Sequence, residues 1–198
     1  MAVSIGLKTS THVFICSEMA LSSSIIKIKE TEDSTTLLSN TLLNITGSQA
    51  DTLSLKSYAV ECSKLLSYEN RIPVTPSLVT KVCVNKIYSA LRKDPLECQV
   101  LVGGLNDSNS LELYSIDRYG ACNQDNFVVT GYGLYFLFGV YDMSYRKDMA
   151  EDEAIGLIMK CLKVLKEKII LETDKWKLDI IGLNGVKTSM IDLNSNIE

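Results

Sequence analysis

Val100-Leu101-Val102-Gly103-Gly104, followed by Leu111-Glu112-Leu113-Tyr114-Ser115-Ile116-Asp117, decides how this chain is read. The first run belongs to Cys98-Gln99-Val100-Leu101-Val102, a short apolar segment that meets two glycines, as a buried strand entering a tight turn does. The second alternates apolar and polar side chains, the period of a strand with one covered face, and ends at a turn near Gly120. No G-x-G-x-x-G or G-K-[ST] follows the glycine pair, so it does not read as a phosphate cradle. Antiparallel strands with one apolar face need a cover, and the flanking segments supply both further strands and helices.

Upstream, Val3, Ile5 and Leu7 alternate with Ser4, Gly6 and Lys8, and His12-Val13-Phe14-Ile15-Cys16 reads as the return strand of a hairpin. Ile25-Ile26-Lys27-Ile28-Lys29 and Leu42-Leu43-Asn44-Ile45-Thr46 read as two more strands, joined by the polar stretch from Glu30 to Thr35. A first helix is expected to open at Ser48, with Asp51 supporting its first-turn N–H groups and Leu55, Tyr58, Ala59, Cys62, Leu65 and Leu66 as its apolar stripe. A second opens at Thr75-Pro76, a cap followed by proline where a helix tolerates it best, with Val79, Val82, Cys83, Ile87, Ala90 and Leu91 on one side.

Downstream, Phe127-Val128-Val129 leads into Gly131-Tyr132-Gly133, and a short apolar helix is expected over about 133–143. The next helix is capped by Asp148 in this reading. It buries Ala154, Ile158, Cys161, Leu165 and Ile169, and it turns Lys160, Lys163 and Glu167 to solvent. Trp176 to Ile181, a turn at Asn184-Gly185 and a final short strand close the chain. The tail from about Lys187 to Glu198 is polar, a candidate contact arm or a frayed end.

Composition narrows the function classes. The 198 residues are 46% apolar and 22% charged, enough for a core, and are expected to form one domain over residues 1–198. The net charge of −4 and the lack of a basic patch argue against nucleic acid as a partner. No basic-then-apolar leader and no apolar run near the roughly 20 residues of a spanning helix are present, so neither secretion nor a membrane is expected. The sequons at Asn44 and Asn106 then read as chance matches. Six cysteines at irregular spacing with one histidine, His12, fit neither a zinc site nor a disulfide scaffold, and are expected as reduced thiols. A His12–Cys16 hydrolase fails on distance: four residues along a strand span about 13 Å, against the roughly 3 Å a nucleophile and base require. Glu151, Asp152 and Glu153 read as first-turn acids complementing a helix dipole rather than as metal ligands.

In this order and spacing the segments resemble the proteasome β family, and within it the non-catalytic fourth-position branch (beta type-2). The likeness rests on Ile5-Gly6 with its hairpin, on Thr46-Gly47-Ser48-Gln49-Ala50-Asp51-Thr52, and above all on Val100 to Gly104 followed by Leu113-Tyr114-Ser115-Ile116-Asp117. Thr130-Gly131-Tyr132-Gly133 and Tyr145-Arg146-Lys147-Asp148-Met149 with Glu151, Glu153 and Ala154 extend it. The resemblance implies an α+β fold of the N-terminal-nucleophile hydrolase type. That fold is a four-layer α-β-β-α sandwich, two antiparallel sheets between two helical layers. It also implies α and β proteasome subunits as partners in stacked seven-membered rings, with the regulatory particle met indirectly. No cofactor and no metal are implied, and the expected location is the cytoplasm and nucleus.

Active members of the family attack with an N-terminal threonine, released after a glycine, whose own α-amino group takes the proton. A lysine and an aspartate support it. Counted back from Gly6, the nucleophile position is Ala2, and no Gly-Thr pair occurs in the chain. The aspartate position holds Glu18 and the lysine position Ser34. The serine of the glycine-rich turn is Tyr132, and the late Asp-x-x-Ser pair falls at Lys168 and Leu171. The expectation is a silent subunit in a threonine endopeptidase complex. It would fix its neighbours' geometry and wall the chamber in ubiquitin-dependent protein catabolism. The alternatives are a divergent active N-terminal-nucleophile threonine peptidase and a free-standing α+β binding domain.

Overall fold

The computed structural model describes residues 3–19, 21–23, 26–29, 35–169 and 174–194. Its strands are β1 (Ser4–Lys8), β2 (His12–Glu18), β3 (Leu21–Ser23), β4 (Ile26–Lys29), β5 (Thr35–Leu38), β6 (Thr41–Gly47), β7 (Cys98–Leu105), β8 (Leu111–Ile116), β9 (Cys122–Gln124), β10 (Phe127–Val129), β11 (Lys175–Gly182) and β12 (Gly185–Asp192). Its helices are α1 (Gln49–Asn70), α2 (Pro76–Ala90), α3 (Leu134–Ser144) and α4 (Glu151–Lys168), with a 3-10 turn over Gly131–Gly133 before α3. The first sheet runs β10-β1-β2-β11-β12 and the second β5-β6-β7-β8-β9, with antiparallel pairing throughout both. β3 and β4 form a separate hairpin.

Three apolar layers hold the sandwich together. Ile5, Phe14, Leu178 and Trp176 of the first sheet pack with Leu137 of α3 and Ile158, Cys161 and Leu165 of α4. Leu43, Val100, Val102 and Ile116 of the second sheet pack with Leu55 and Ala59 of α1 and Val79, Cys83 and Ile87 of α2. Val13, Ile15, Leu42, Leu101 and Leu113 fill the space between the sheets. The order is helix layer, sheet, sheet, helix layer, the α-β-β-α sandwich expected from the sequence. No helix among the described residues is long and apolar enough to cross a membrane.

The glycine pair of the opening stretch does not make a turn. Gly103 and Gly104 lie inside β7, paired to Leu42 and Thr41 on one side and to Leu113 and Glu112 on the other. A Cβ on Gly103 would stand 2.7 Å from Val13 Cγ1 of the facing sheet and 3.3 Å from Leu113 Cδ1, while one on Gly104 would collide with the backbone carbonyl of Asn40. Glycine is required here for close approach, a demand that sequence alone does not distinguish from a demand for a turn.

Other expectations are revised at helix ends and at the tail. Asp51 does not cap α1; its carboxylate accepts from the backbone N–H of Glu97 at 3.1 Å, stapling the helix to the start of β7. The seam of α1 is Leu55, Ala59 and Ser63, whereas Leu65 is 55% exposed and Tyr58 36% exposed. Thr75 caps α2 as expected, its hydroxyl accepting from Leu78 N. α4 begins two residues beyond the expected cap: Ala150 is its N-cap residue, and Glu153 reaches back to accept from Ala150 N at 3.3 Å. Residues 185–192 form the edge strand β12 rather than a frayed end, Leu193 beyond it is buried, and residues 195–198 of the expected contact arm lie outside the described residues. The polar connection expected over 30–35 falls mostly outside the described residues, and Thr35 opens β5.

Two glycine substitutions separate close approach from mere backbone freedom. Gly104→Ala should destabilise by about 2 kcal/mol or more, because the obstacle is backbone. Gly156→Ala, in the middle of α4 with nothing within 4 Å of the added carbon, should stabilise by about 0.5–1 kcal/mol. Urea unfolding midpoints at constant slope measure both.

Candidate functional site

The corner where sequence places the catalytic positions is built by three chain segments. β1 and β2 are in register with Ser4 opposite Ser17, and β1 and β10 with Ile5 opposite Val129. This brings the start of β1, the end of β2 and Thr130 together. Thr130 N donates to Ser4 O at 2.8 Å, and Ser4 N donates to Thr130 Oγ1 at 2.9 Å. Glu18 N donates to Val3 O, and Val3 N donates to Glu18 Oε2, both at 3.2 Å. Glu18 is 3% exposed, so its carboxylate is spent on backbone, next to the residue that follows Ala2. Ala2, Ser34 and Leu171 lie outside the described residues.

Tyr132 sits in the 3-10 turn with its side chain largely exposed, while Gly131 N donates to Gln99 Oε1 at 3.0 Å. Gly133 lets this turn close on the corner: a Cβ there would stand 2.8 Å from Val3 Cγ1. Lys168 ends α4 exposed, with no hydrogen bond or ion pair among the described residues. The structure therefore brings Glu18 and the immediate neighbours of Ala2 and Ser34 into one region. Neither Tyr132 nor Lys168 is engaged with Glu18 by a hydrogen bond or ion pair.

The cation of this region is one that the sequence reading missed. Lys177 of β11 lies opposite Ser17 of β2, and its ammonium donates to Thr35 O at 3.5 Å. It also stands 3.6 Å from Asp179 Oδ2, an ion-pair rather than a hydrogen-bond distance. Asp179 is 2% exposed and accepts a 2.6 Å hydrogen bond from Thr188 Oγ1. Across the gap, Asn44 Nδ2 donates to Thr35 Oγ1 at 3.3 Å, and Ser17 Oγ lies 3.4 Å from the same hydroxyl. A polar seam thus joins the sheets around Thr35. Lys177 and Asp179 alternate with Trp176, Leu178 and Ile180, which in sequence looks like an ordinary solvent-facing side. The second sheet covers that side instead.

The structure does not pair His12 with Cys16. Cys16 is fully buried, and its thiol is pushed far up by burial, then by Asp179 and Cys161. His12 stands away from it at the strand's other end, its ring against Gly182 and its Nε2 3.5 Å from Glu151 Oε2. Lys187 holds the same carboxylate at 2.8 Å and thereby lowers its pKa. Burial pushes the Cys83 thiol up to about 12 and the Cys98 and Cys161 thiols up to about 11. All six cysteines are free, and among the described residues no cluster of three or more His, Cys, Asp or Glu could hold a metal ion. The sequon residue Asn44 is buried in the seam, and Asn106 Oδ1 closes the β7–β8 turn by accepting from Ser108 N and Ser110 N.

The fold defines a class, the N-terminal-nucleophile hydrolase sandwich. The profile of the family described as "Proteasome subunit" matches residues 2–181, and the chain belongs to that family, on its β side. It is 28% identical over 189 residues to "Probable proteasome subunit beta type-4" of Encephalitozoon cuniculi, covering 95% of each chain. It is 26% identical to "Proteasome subunit beta type-2-A" of Arabidopsis thaliana, covering 92% of this chain and 90% of that one. To "Proteasome subunit beta type-4" of Saccharomyces cerevisiae it is 25% identical, covering 94% and 96% respectively.

Lys177→Met should cost about 1–3 kcal/mol, since it leaves buried Asp179 without its ammonium and Thr35 without a donor. Adding Asp179→Asn should recover part of that loss. A double-mutant cycle on urea midpoints reads the coupling, and strictly additive effects would dismiss the pair.

Proposed function

We propose that this chain is a non-catalytic β subunit of the 20S proteasome core. It fills one position in a β ring, holds its neighbours at fixed geometry and walls the chamber in which they cut protein. Family membership over residues 2–181 supports the ring and the chamber. The silent role is carried by one observation: the Glu18 carboxylate is bonded to the amide of Val3, next to a residue whose side chain is a methyl group. Nucleophilic catalysis needs a hydroxyl or thiol with a base beside it. Whatever precedes Ala2, its side chain is a methyl group with no hydroxyl or thiol to attack a carbonyl.

The supporting groups point the same way. Ser34 brings no ammonium, and the nearby ammonium of Lys177 is held by Thr35 O and Asp179. Thr130 spends its hydroxyl on the backbone of Ser4. In this reading the subunit works in the cytoplasm and nucleus, within ubiquitin-dependent degradation, and meets the regulatory particle only through other subunits.

The test is made on the assembled particle. After treatment with an epoxyketone probe, mass spectrometry of separated subunits should find adducts on threonine-bearing β chains and none on this one. Blocking this chain's N-terminal amine should leave turnover of fluorogenic peptides unchanged. An adduct on its first residue, or activity lost with that block, would establish the active-peptidase reading. Elution from native lysate as a small species would favour a free-standing domain.

A further inference from the structure

The two sheets end on the same side in three-residue strands, β10 in the first and β9 in the second. Between them lies a cleft of about 240 Å³, roofed by Leu134 and Phe138 of α3. Register explains its polarity. A row of inward positions crosses the second sheet from Thr35 through Asn44 and Leu101 to Ser115 and Asn123, so the polar level of the seam emerges at this edge. Val128 of the intersheet layer is apolar, and Asp117 and Asp125 share the lining with it.

The charges of this lining are one-sided. No Lys, Arg or His lines the cleft among the described residues. Asp117 is fixed in place because its Oδ1 accepts from Tyr119 N and Ala121 N, both at 2.8 Å. The Asp125 carboxylate has no hydrogen bond or ion pair among the described residues. Arg118, the nearest cation in sequence, is turned onto the Tyr119 ring, 4.8 Å from its centroid. Close by, the Tyr141 phenol is pushed up to about 12 by burial first and then by Tyr145, Asp142 and Asp125, the mark of a negative local field.

We propose that this cleft receives a lysine or arginine side chain from an extended segment of a neighbouring polypeptide. The volume is below the roughly 300 Å³ at which small-molecule pockets begin, and suits a single long side chain. The aliphatic stem lies on Val128, Leu134 and Phe138 while the cationic head sits between the two carboxylates. Polypeptide fits better than a free cation because β9 and β10 each pair on one side only among the described residues. Each leaves an outer backbone edge that an extended chain can use. The proposal rests on the reading that this chain is assembled with other subunits, since the neighbour is one of them.

Asp125→Lys reverses the charge at an exposed position. Asp107→Lys, in the exposed β7–β8 turn, makes the same change elsewhere. Expected is a fall of about ten-fold in incorporation of Asp125→Lys into the particle, with the isolated chain's melting temperature unchanged and Asp107→Lys assembling normally. A photo-crosslinking residue at position 123 should capture one peptide of a neighbouring subunit, centred on Lys or Arg. Normal incorporation of Asp125→Lys, or capture of a peptide without a basic residue, overturns the proposal. So does spermine raising the isolated chain's melting temperature in wild type but not in Asp125→Lys, since the occupant would then be a free polyamine. If the wild-type chain itself enters no large particle, the failure belongs to the assembly reading instead.

Discussion

The separation between the two sheets governs the rest of this structure. Gly6 and Gly103 face into that space from opposite sheets, and both meet Leu113 at about van der Waals distance or closer. Val13, Ile15, Leu42 and Leu101 fill what remains, all essentially excluded from solvent. A single layer of interdigitated side chains between sheets tolerates little change in volume, because packed interiors relax only partly around an added carbon. Once β7 lies against β2 in this way, β6 and β8 are fixed on either side of it. The outer helix pairs then inherit their positions from the sheets they cover.

At one end the same closeness turns a collection of polar residues into a structural element. Ser17, Thr35, Asn44, Lys177 and Asp179 would each be unremarkable on a wet sheet face. Enclosed between sheets, each needs a partner, because an unsatisfied buried polar group costs about 1–3 kcal/mol. The Lys177 ammonium serves the Thr35 carbonyl and the Asp179 carboxylate together, and Thr188 shares the latter. One cation on β11 thereby ties the first strand of the second sheet to the fourth strand of the first. The tie crosses the sandwich at Thr35, and it is made by a side chain far away in sequence.

Sequence disclosed the architecture well and the site unevenly, for physical reasons. Alternation at Leu111 to Ile116, the Thr75-Pro76 cap and the helical period from Ala154 to Leu165 are local properties, and each appears in the fold where it was expected. Gly103-Gly104 was misread because a glycine that avoids a collision with Val13 and Asn40 looks the same in sequence as one that turns the chain. Two of the six residues of the expected α1 stripe, Tyr58 and Leu65, are exposed because helical period marks an apolar side without saying how much of it the sheet covers. Counting from Gly6 singles out Glu18, and the structure places its carboxylate on Val3 N. Lys177 was not legible, since its importance comes from strands that sequence does not bring together.

The corner also explains how family likeness can run through a site in which, under the proposed reading, no peptide bond is cut. Glu18 and Thr130 bond to the backbone of Val3 and Ser4, and Gly133 makes room for Val3. These three residues set the course of the first strand, so the fold constrains them whether or not a peptide bond is cut nearby. An acidic side chain and a hydroxyl kept at these places are therefore weak indicators of catalysis. The positions that discriminate are those with a chemical task and little scaffolding role, and in this chain they hold the methyl of Ala2 and the hydroxymethyl of Ser34. Reading the site by what each side chain supports, rather than by how many family positions survive, is what leads to the non-catalytic assignment proposed above.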